Sequence, residues 1–235
     1  MTPLNVRMPT VFCFVTVLFL FSISMCSAQS SFGVEKECNK QEAKLGRDSA
    51  IRYWTEPANA GDAKAQFCLG IAIRPSGMWI GPKPDEKQMA QDARIAVKWI
   101  HRSAEQGFAP AQETLAHAYA RGSATIDGVS KDLEKARYWM EKAANQGSPF
   151  ANVFLGQWYR DGTGTLPVDK QRAYRYIRLA VKLLKAQNNP SKFRLMMEFF
   201  GMEYAVEDLA HDLTAKDRAK ADSWVESQLQ KFTKP

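Results

Sequence analysis

Small and large apolar positions return along this chain in a fixed order. AVKWIHRSAEQG (96–107) comes back forty residues later as ARYWMEKAANQG (136–147). Ala96 falls on Ala136, Trp99 on Trp139, Ala104 on Ala144, and Gln106-Gly107 on Gln146-Gly147. Upstream, AIRYWTEPANAG (50–61) fits the same frame with Tyr53 in the aromatic column, and downstream AYRYIRLAV (173–181) fits with Tyr176 there. A second block follows each glycine: GDAKAQFCLG (61–70), GFAPAQETLA (107–116) and GSPFANVFLG (147–156). Leu69, Leu115 and Leu155 share one column of it, and Ala65, Ala111 and Ala151 another. Each block reads as a helix, so the pattern predicts a stack of helix pairs.

The polar positions place the ends of these helices. Asp62 and Ser148 stand where a first helix needs an N-cap, with Pro149 suited to the first turn. Asp92, Asp132 and Asp169 stand just before the second helix and are expected to cap it. Gly61, Gly107 and Gly147 close that helix. The alanine columns let helices approach to about 8–10 Å. No single pair can bury its own apolar face, so neighbours must stack. Aromatics recurring at the repeat period (Tyr53, Trp99, Trp139, Tyr176) are expected in the core between repeats rather than in a ligand cage. Gly162 and Gly164 in DGTGT read as a turn between two helices, not as a phosphate loop.

The blocks APAQETLAHAY (109–119), GVSKD (128–132) and KARYWMEKAANQG (135–147) resemble the Sel-1-like repeat family, kin of the tetratricopeptide repeat. The resemblance covers residues 48–182, about three repeats plus a partial one. It implies an all-α fold, a right-handed α-α superhelix. It also implies a protein-binding role without catalysis: an adaptor, an envelope modulator, a host-contact factor, or a periplasmic immunity partner of a secreted toxin. Cysteine-rich relatives bind β-lactams, but this chain lacks their cysteine pair in each repeat. A weak β-lactam-binding or hydrolase activity is the enzymatic alternative.

The ends of the chain have a different character. Residues 1–28 read as a signal peptide: Arg7, then the apolar run VFCFVTVLFLFSISM, then small residues with cleavage after Ala28. An uncleaved anchor is the rival reading. Residues 29–47 form a short N-terminal segment. Residues 183–235 read as a helical cap, in which Thr214 and Asp217 stand in capping-box positions. Ala221, Trp224, Val225, Leu229 and Phe232 line one face there. A periplasmic or secreted protein follows, monomeric and with no membrane span once the signal is removed.

Charge adds little. The whole chain carries +7, of which +6 remains after Ala28. The charges alternate in sign, which reads as a solvated basic surface rather than a nucleic-acid stripe. Cys38 and Cys68 are the two cysteines left after cleavage, and an exported chain with two cysteines is expected to join them. The bond requires a turn near Leu45–Asp48, because one straight helix would hold Cys38 about 20 Å away.

Catalytic patterns are missing. His101, His117 and His211 lie far apart with no metal-ligand spacing, so neither a metal nor another cofactor is expected. No nucleophile elbow, P-loop or S-x-x-K occurs. Binding is then the remaining use, and the columns that vary between repeats mark the candidate surface. On the first helix of each pair these are Lys64, Phe67, Ile71 and Arg74, then Glu113 and His117, then Phe150, Phe154, Gln157 and Arg160. Within each helix they fall at i, i+3, i+4, i+7 intervals, one face of a helix. Cys68 lies on the same stripe. The alternative is the long connection around Met78, Trp79 and Ile80. An unidentified protein partner is expected on one of the two.

Overall fold

The computed structural model describes residues 34, 37–40, 44, 46–75, 85–123, 127–163, 166–187 and 201–233. Nine bounded helices lie among them, with no strand. They are α1 (Arg47–Asn59), α2 (Ala63–Ile73), α3 (Glu86–Glu105), α4 (Ala109–Arg121) and α5 (Leu133–Ala144). After these come α6 (Pro149–Asp161), α7 (Lys170–Ala186), α8 (Met202–His211) and α9 (Ala215–Thr233). From α1 to α7 each helix packs on the next, and α8 and α9 both lie against α7. The pairs α2–α3, α4–α5 and α6–α7 make an all-α solenoid.

Local chemistry fixes the helix ends. Asp62 accepts a hydrogen bond from the Ala65 N–H at 2.6 Å and Ser148 from Ala151 at 3.1 Å. Asp132 accepts from Lys135 at 3.0 Å and Asp169 from Arg172 at 2.8 Å. Asp92 is not a cap. The cap of α3 is Asp85, which accepts from the Gln88 N–H at 3.4 Å. Asp92 lies inside this 20-residue helix, 3.5 Å from Arg47 and bonded to the Gln88 amide at 2.8 Å. The extra length of the first repeat is therefore largely helix, and the connection itself is only slightly longer than the one between α4 and α5. At the other ends Gly61, Gly107 and Gly147 take φ of 96°, 89° and 79°. The residue after each glycine bonds back five positions: Asp62 to Pro57, Phe108 to Ser103, and Ser148 to Ala143, at 3.1–3.2 Å. That is the left-handed closure that favours glycine.

Packing depends on small side chains. Ala65, Ala111, Ala151, Ala96, Ala136 and Ala173 are all buried. A Cβ added at Gly156 would stand 2.4 Å from Ile177 Cγ1, and one at Gly70 would stand 2.5 Å from Ile100 Cγ1. The two helices of a pair touch there. Trp139 is buried and meets His101 of the preceding repeat edge-on at 5.3 Å. Tyr53 departs from its column. It is 53% exposed, on the helix that begins the described stack.

Buried amides join one repeat to the next. Gln66 donates to the Ala58 carbonyl at 3.1 Å and accepts from the Gln106 amide at 2.8 Å. One repeat on, Gln112 donates to the Ala104 carbonyl at 3.0 Å and accepts from Gln146 at 2.7 Å. Each relay satisfies a carbonyl in the last turn of one helix and ties it through the next helix to the one after. Asn152, one methylene shorter, instead bonds the Ser148 carbonyl of its own helix at 2.7 Å.

The last helices close the stack. α9 places Ala221 and Val225, both fully buried, against α7, where Leu179 and Leu183 are buried. Asp222 of α9 accepts from the Tyr174 hydroxyl at 3.0 Å and pairs with Arg178 at 2.6 Å.

Replacing Gln112 by Leu keeps the volume and removes both amide bonds. It leaves the Gln146 amide and one lone pair of the Ala104 carbonyl without a protein partner. The expected loss is about 1–3 kcal/mol, read from urea denaturation, whereas Gln157→Leu on a half-exposed position should change stability by less than about 0.5 kcal/mol.

Candidate interaction surface

The stripe expected to face a partner divides into three parts. On α2 it is closed. Phe67 is fully buried and Ile71 is 6% exposed, in one apolar cluster with Val34 and Cys38. Cys38 is bonded to Cys68 with Cα atoms 5.1 Å apart. Gly46, at φ 79°, makes the turn that lets the N-terminal segment lie beside α2. Glu37 pairs with Lys64 at 2.9 Å across the same contact. Phe67 and Ile71 therefore cannot meet a partner in this state, and Lys64 meets it only beside Glu37. Arg74, at the far end of α2, is half-exposed.

On α4 the stripe is structural. Glu113 is fully buried and accepts a hydrogen bond from the Ser148 hydroxyl, which ties α4 to the cap of α6. The same Ser148 oxygen accepts from the Ala151 N–H. That hydroxyl donates to the Glu113 carboxylate, and the bond ties the two helices together. Glu113 is removed from the docking surface for this reason. His117, one turn on, rests edge-on against Phe154 at 4.5 Å and Phe150 at 5.2 Å. Its Nε2 is buried without a hydrogen-bond partner. Burial pushes its pKa down to about 4, the Arg121 guanidinium pushes the same way, and Asp127 opposes them. The imidazole is therefore neutral near pH 7. Arg121 donates to the buried Asp127 from two nitrogens, one at 2.7 Å.

On α6 the stripe stays half-open. Phe150 and Phe154 lie tilted at 53° to each other with ring centres 4.8 Å apart, each partly covered by the core beneath. Gln157 and Arg160 continue the row, also half-exposed. Arg160 is held by Asp161 at 2.8 Å, and that bond raises its pKa. Beyond α6, α8 adds Met202, Ala205 and Leu209 to the cluster that Phe150 leans on. Met78, Trp79 and Ile80 lie outside the described residues, as does the signal segment 1–28. Among the described residues no helix is long and apolar enough to cross a membrane, and no group of three or more acidic, histidine or cysteine side chains is placed to hold a metal ion. A cavity of about 10 Å³ near Arg74, Thr114 and Asp127 has room for about one water.

Sequence reasoning missed Val34 and Glu37 as the cover of α2. Their signal was the helical spacing Val34–Glu37–Cys38, one turn carrying an apolar, an acidic and a bonding residue.

The Sel1 repeat family model matches three consecutive segments, 86–108, 109–148 and 149–183. The chitin synthase regulator SKT5 of Saccharomyces cerevisiae is 32% identical over 104 residues, which is 43% of this chain and 13% of that protein. A protective antigen of uropathogenic Escherichia coli with an SLR fold aligns at TM-score 0.49 and 22% identity, over 92% of this chain and 48% of its own. A Sel1 repeat protein from Oxalobacter formigenes aligns at TM-score 0.49 and 18% identity, over 86% of this chain and 85% of its own. The chain thus spans a small part of the yeast relative and about half of the first structural one.

Two measurements check this geometry. The Cys38–Cys68 bond closes a loop of 30 residues, so Cys38→Ser with Cys68→Ala should cost about 3 kcal/mol. It should also open the segment before Gly46 to protease. The His117 pKa is depressed from 6.5 to about 4. Its contribution to stability is therefore present above pH 6.5 and is lost as pH falls toward 4. The wild type should lose about 3 kcal/mol over that window relative to His117→Leu, read from urea midpoints at each pH.

Proposed function

We propose, from three consecutive Sel1 repeats stacked as a solenoid, that this protein is an exported, non-catalytic protein-interaction module whose partner docks on the half-open face of α6. The observation that carries the reading is the aromatic pair Phe150 and Phe154. They stand partly exposed, whereas at the aligned positions of α2 Lys64 is paired with Glu37 and Cys68 is buried in its disulfide. Aromatic anchors flanked by polar residues are what a docking face presents, and truncating such an anchor weakens binding by about 2 kcal/mol or more. Gln157 and Arg160 supply the polar flank.

Export is supported by the Cys38–Cys68 bond, since disulfides persist in oxidising compartments. The yeast relative is a chitin synthase regulator, which fits a module that acts through another protein. Adaptor, envelope modulator and host-contact factor all remain forms of this one reading.

The test is capture of partners from cell-envelope extract with the intact protein and with Gln157→Lys combined with Arg160→Glu. These positions alter the face without entering the core. The expected outcome is loss of the captured protein with the melting temperature held within about 3 °C. Unchanged capture, with loss on Trp79→Ala, moves the docking site to the connection between α2 and α3.

A further inference from the structure

The outer face of α3 carries three cations in one line. Arg94, Lys98 and Arg102 stand at i, i+4 and i+8, and all are exposed. Like charges at this spacing repel and weaken a helix, so neighbouring carboxylates would be expected to neutralise them. Carboxylates on α3 and α5 are held by other groups. Glu105 holds His101 at 3.2 Å, and Asp92 holds Arg47 at 3.5 Å. Glu134 and Glu141 both hold Arg137, at 2.7 and 3.7 Å. None of the three cations has a carboxylate partner among the described residues.

Two aromatic platforms extend the line across the seam to α5. The Arg102 guanidinium lies over the Trp99 ring at 4.7 Å. Lys142 of α5 lies over Tyr138 at 4.9 Å and over Trp139 at 5.7 Å. His101 of α3 meets Trp139 of α5 at 5.3 Å, which places the two helices side by side there. A cation resting on a ring keeps its outward N–H groups for an anion while the ring restricts its freedom. Ile95 at 39% and Tyr138 at 49% exposure are interleaved with the charges.

We propose that the α3–α5 outer face, through Arg94, Lys98, Arg102 and Lys142, is a second docking surface that takes an acidic segment of a protein partner. Cations four residues apart on a helix rise about 6 Å from one another, and alternate side chains of an extended segment are spaced about 6.6–6.8 Å apart. An acidic strand laid along α3 thus meets them in register. A lipid surface fits less well. Interfacial binding needs a continuous apolar face to insert, and Ile95 and Tyr138 are two isolated, half-covered side chains. This proposal rests on the reading of the protein as an interaction module, but uses a face remote from Phe150 and Phe154.

The test titrates the intact protein with poly-L-glutamate, following tryptophan fluorescence and heat at low salt. Replacing Arg94, Lys98, Arg102 and Lys142 by Gln should weaken binding about ten-fold. A control replacing Lys216, Arg218, Lys220 and Lys231 of α9 by Gln removes the same charge, and should weaken it less than about two-fold. Both variants must keep the wild-type circular dichroism. Equal losses in the two variants mean that net charge alone draws the polymer, and overturn the proposal. So does tight binding of the wild type to phosphatidylglycerol vesicles with no binding to poly-L-glutamate. The Gln157→Lys, Arg160→Glu variant should bind poly-L-glutamate as the wild type does, so failure of the α6 docking site reads separately.

Discussion

The rise from one helix pair to the next depends on two buried glutamines. Gln66 and Gln112 each hold a carbonyl of the helix before and an amide from the helix after. Apolar columns alone would let neighbouring pairs slide, because alanine and leucine contacts are non-directional. An amide enclosed at 2–6% exposure has no such freedom: a shift of an ångström leaves a donor and an acceptor unpaired in the core. The relay therefore sets the register, and the alanine columns and the Gly70 and Gly156 contacts set the distance. Where the relay stops, at Asn152, the stack also changes, and α7 is followed by α8 and α9 lying on it rather than by another repeat.

That same periodicity determines which surface is available. The inner stripe of a regular array would run open along α2, α4 and α6. Here a segment outside the repeat, held by Glu37 and Cys38, covers the first third. The middle third is drawn inward by the Glu113–Ser148 tie and by His117 against two phenylalanines. Along this stripe α6 keeps Phe150 and Phe154 partly in solvent. The open part of the stripe is small because the N-terminal segment and the Glu113–Ser148 tie cover the rest of it.

The repeat was legible in the sequence because each packing contact occurs several times. Trp99 and Trp139, the alanine columns, the three closing glycines and four of the caps could be read by superposing blocks. The cap of α3 failed on the same logic. Asp92 aligns with Asp132 and Asp169, but this helix begins two turns earlier, and the local signal Asp85-x-x-Gln88 was outweighed by the alignment. The stripe failed for a different reason. Its spacing marks one helix face correctly, yet Phe67, Ile71 and Glu113 are buried by contacts that occur once each. A contact made once has no column to reveal it. The disulfide was legible because it needed only two cysteines and a turn, and Gly46 supplies that turn.

The outer cations follow from the inner packing. The column that turns Trp99 and Trp139 toward the core places, three residues on, Arg102 and Lys142 above their rings. Indole is too wide to be sealed by the small residues that let helices approach, and its outer surface needs a long side chain laid across it. Arginine and lysine do this with their methylene stems while the charge stays in water. In the two tryptophan-bearing helices, α3 and α5, sealing the indole thus sets a cation on each side of their seam. Glu105 is paired with His101 and Glu134 and Glu141 with Arg137, and Arg94, Lys98 and Arg102 have no carboxylate partner among the described residues.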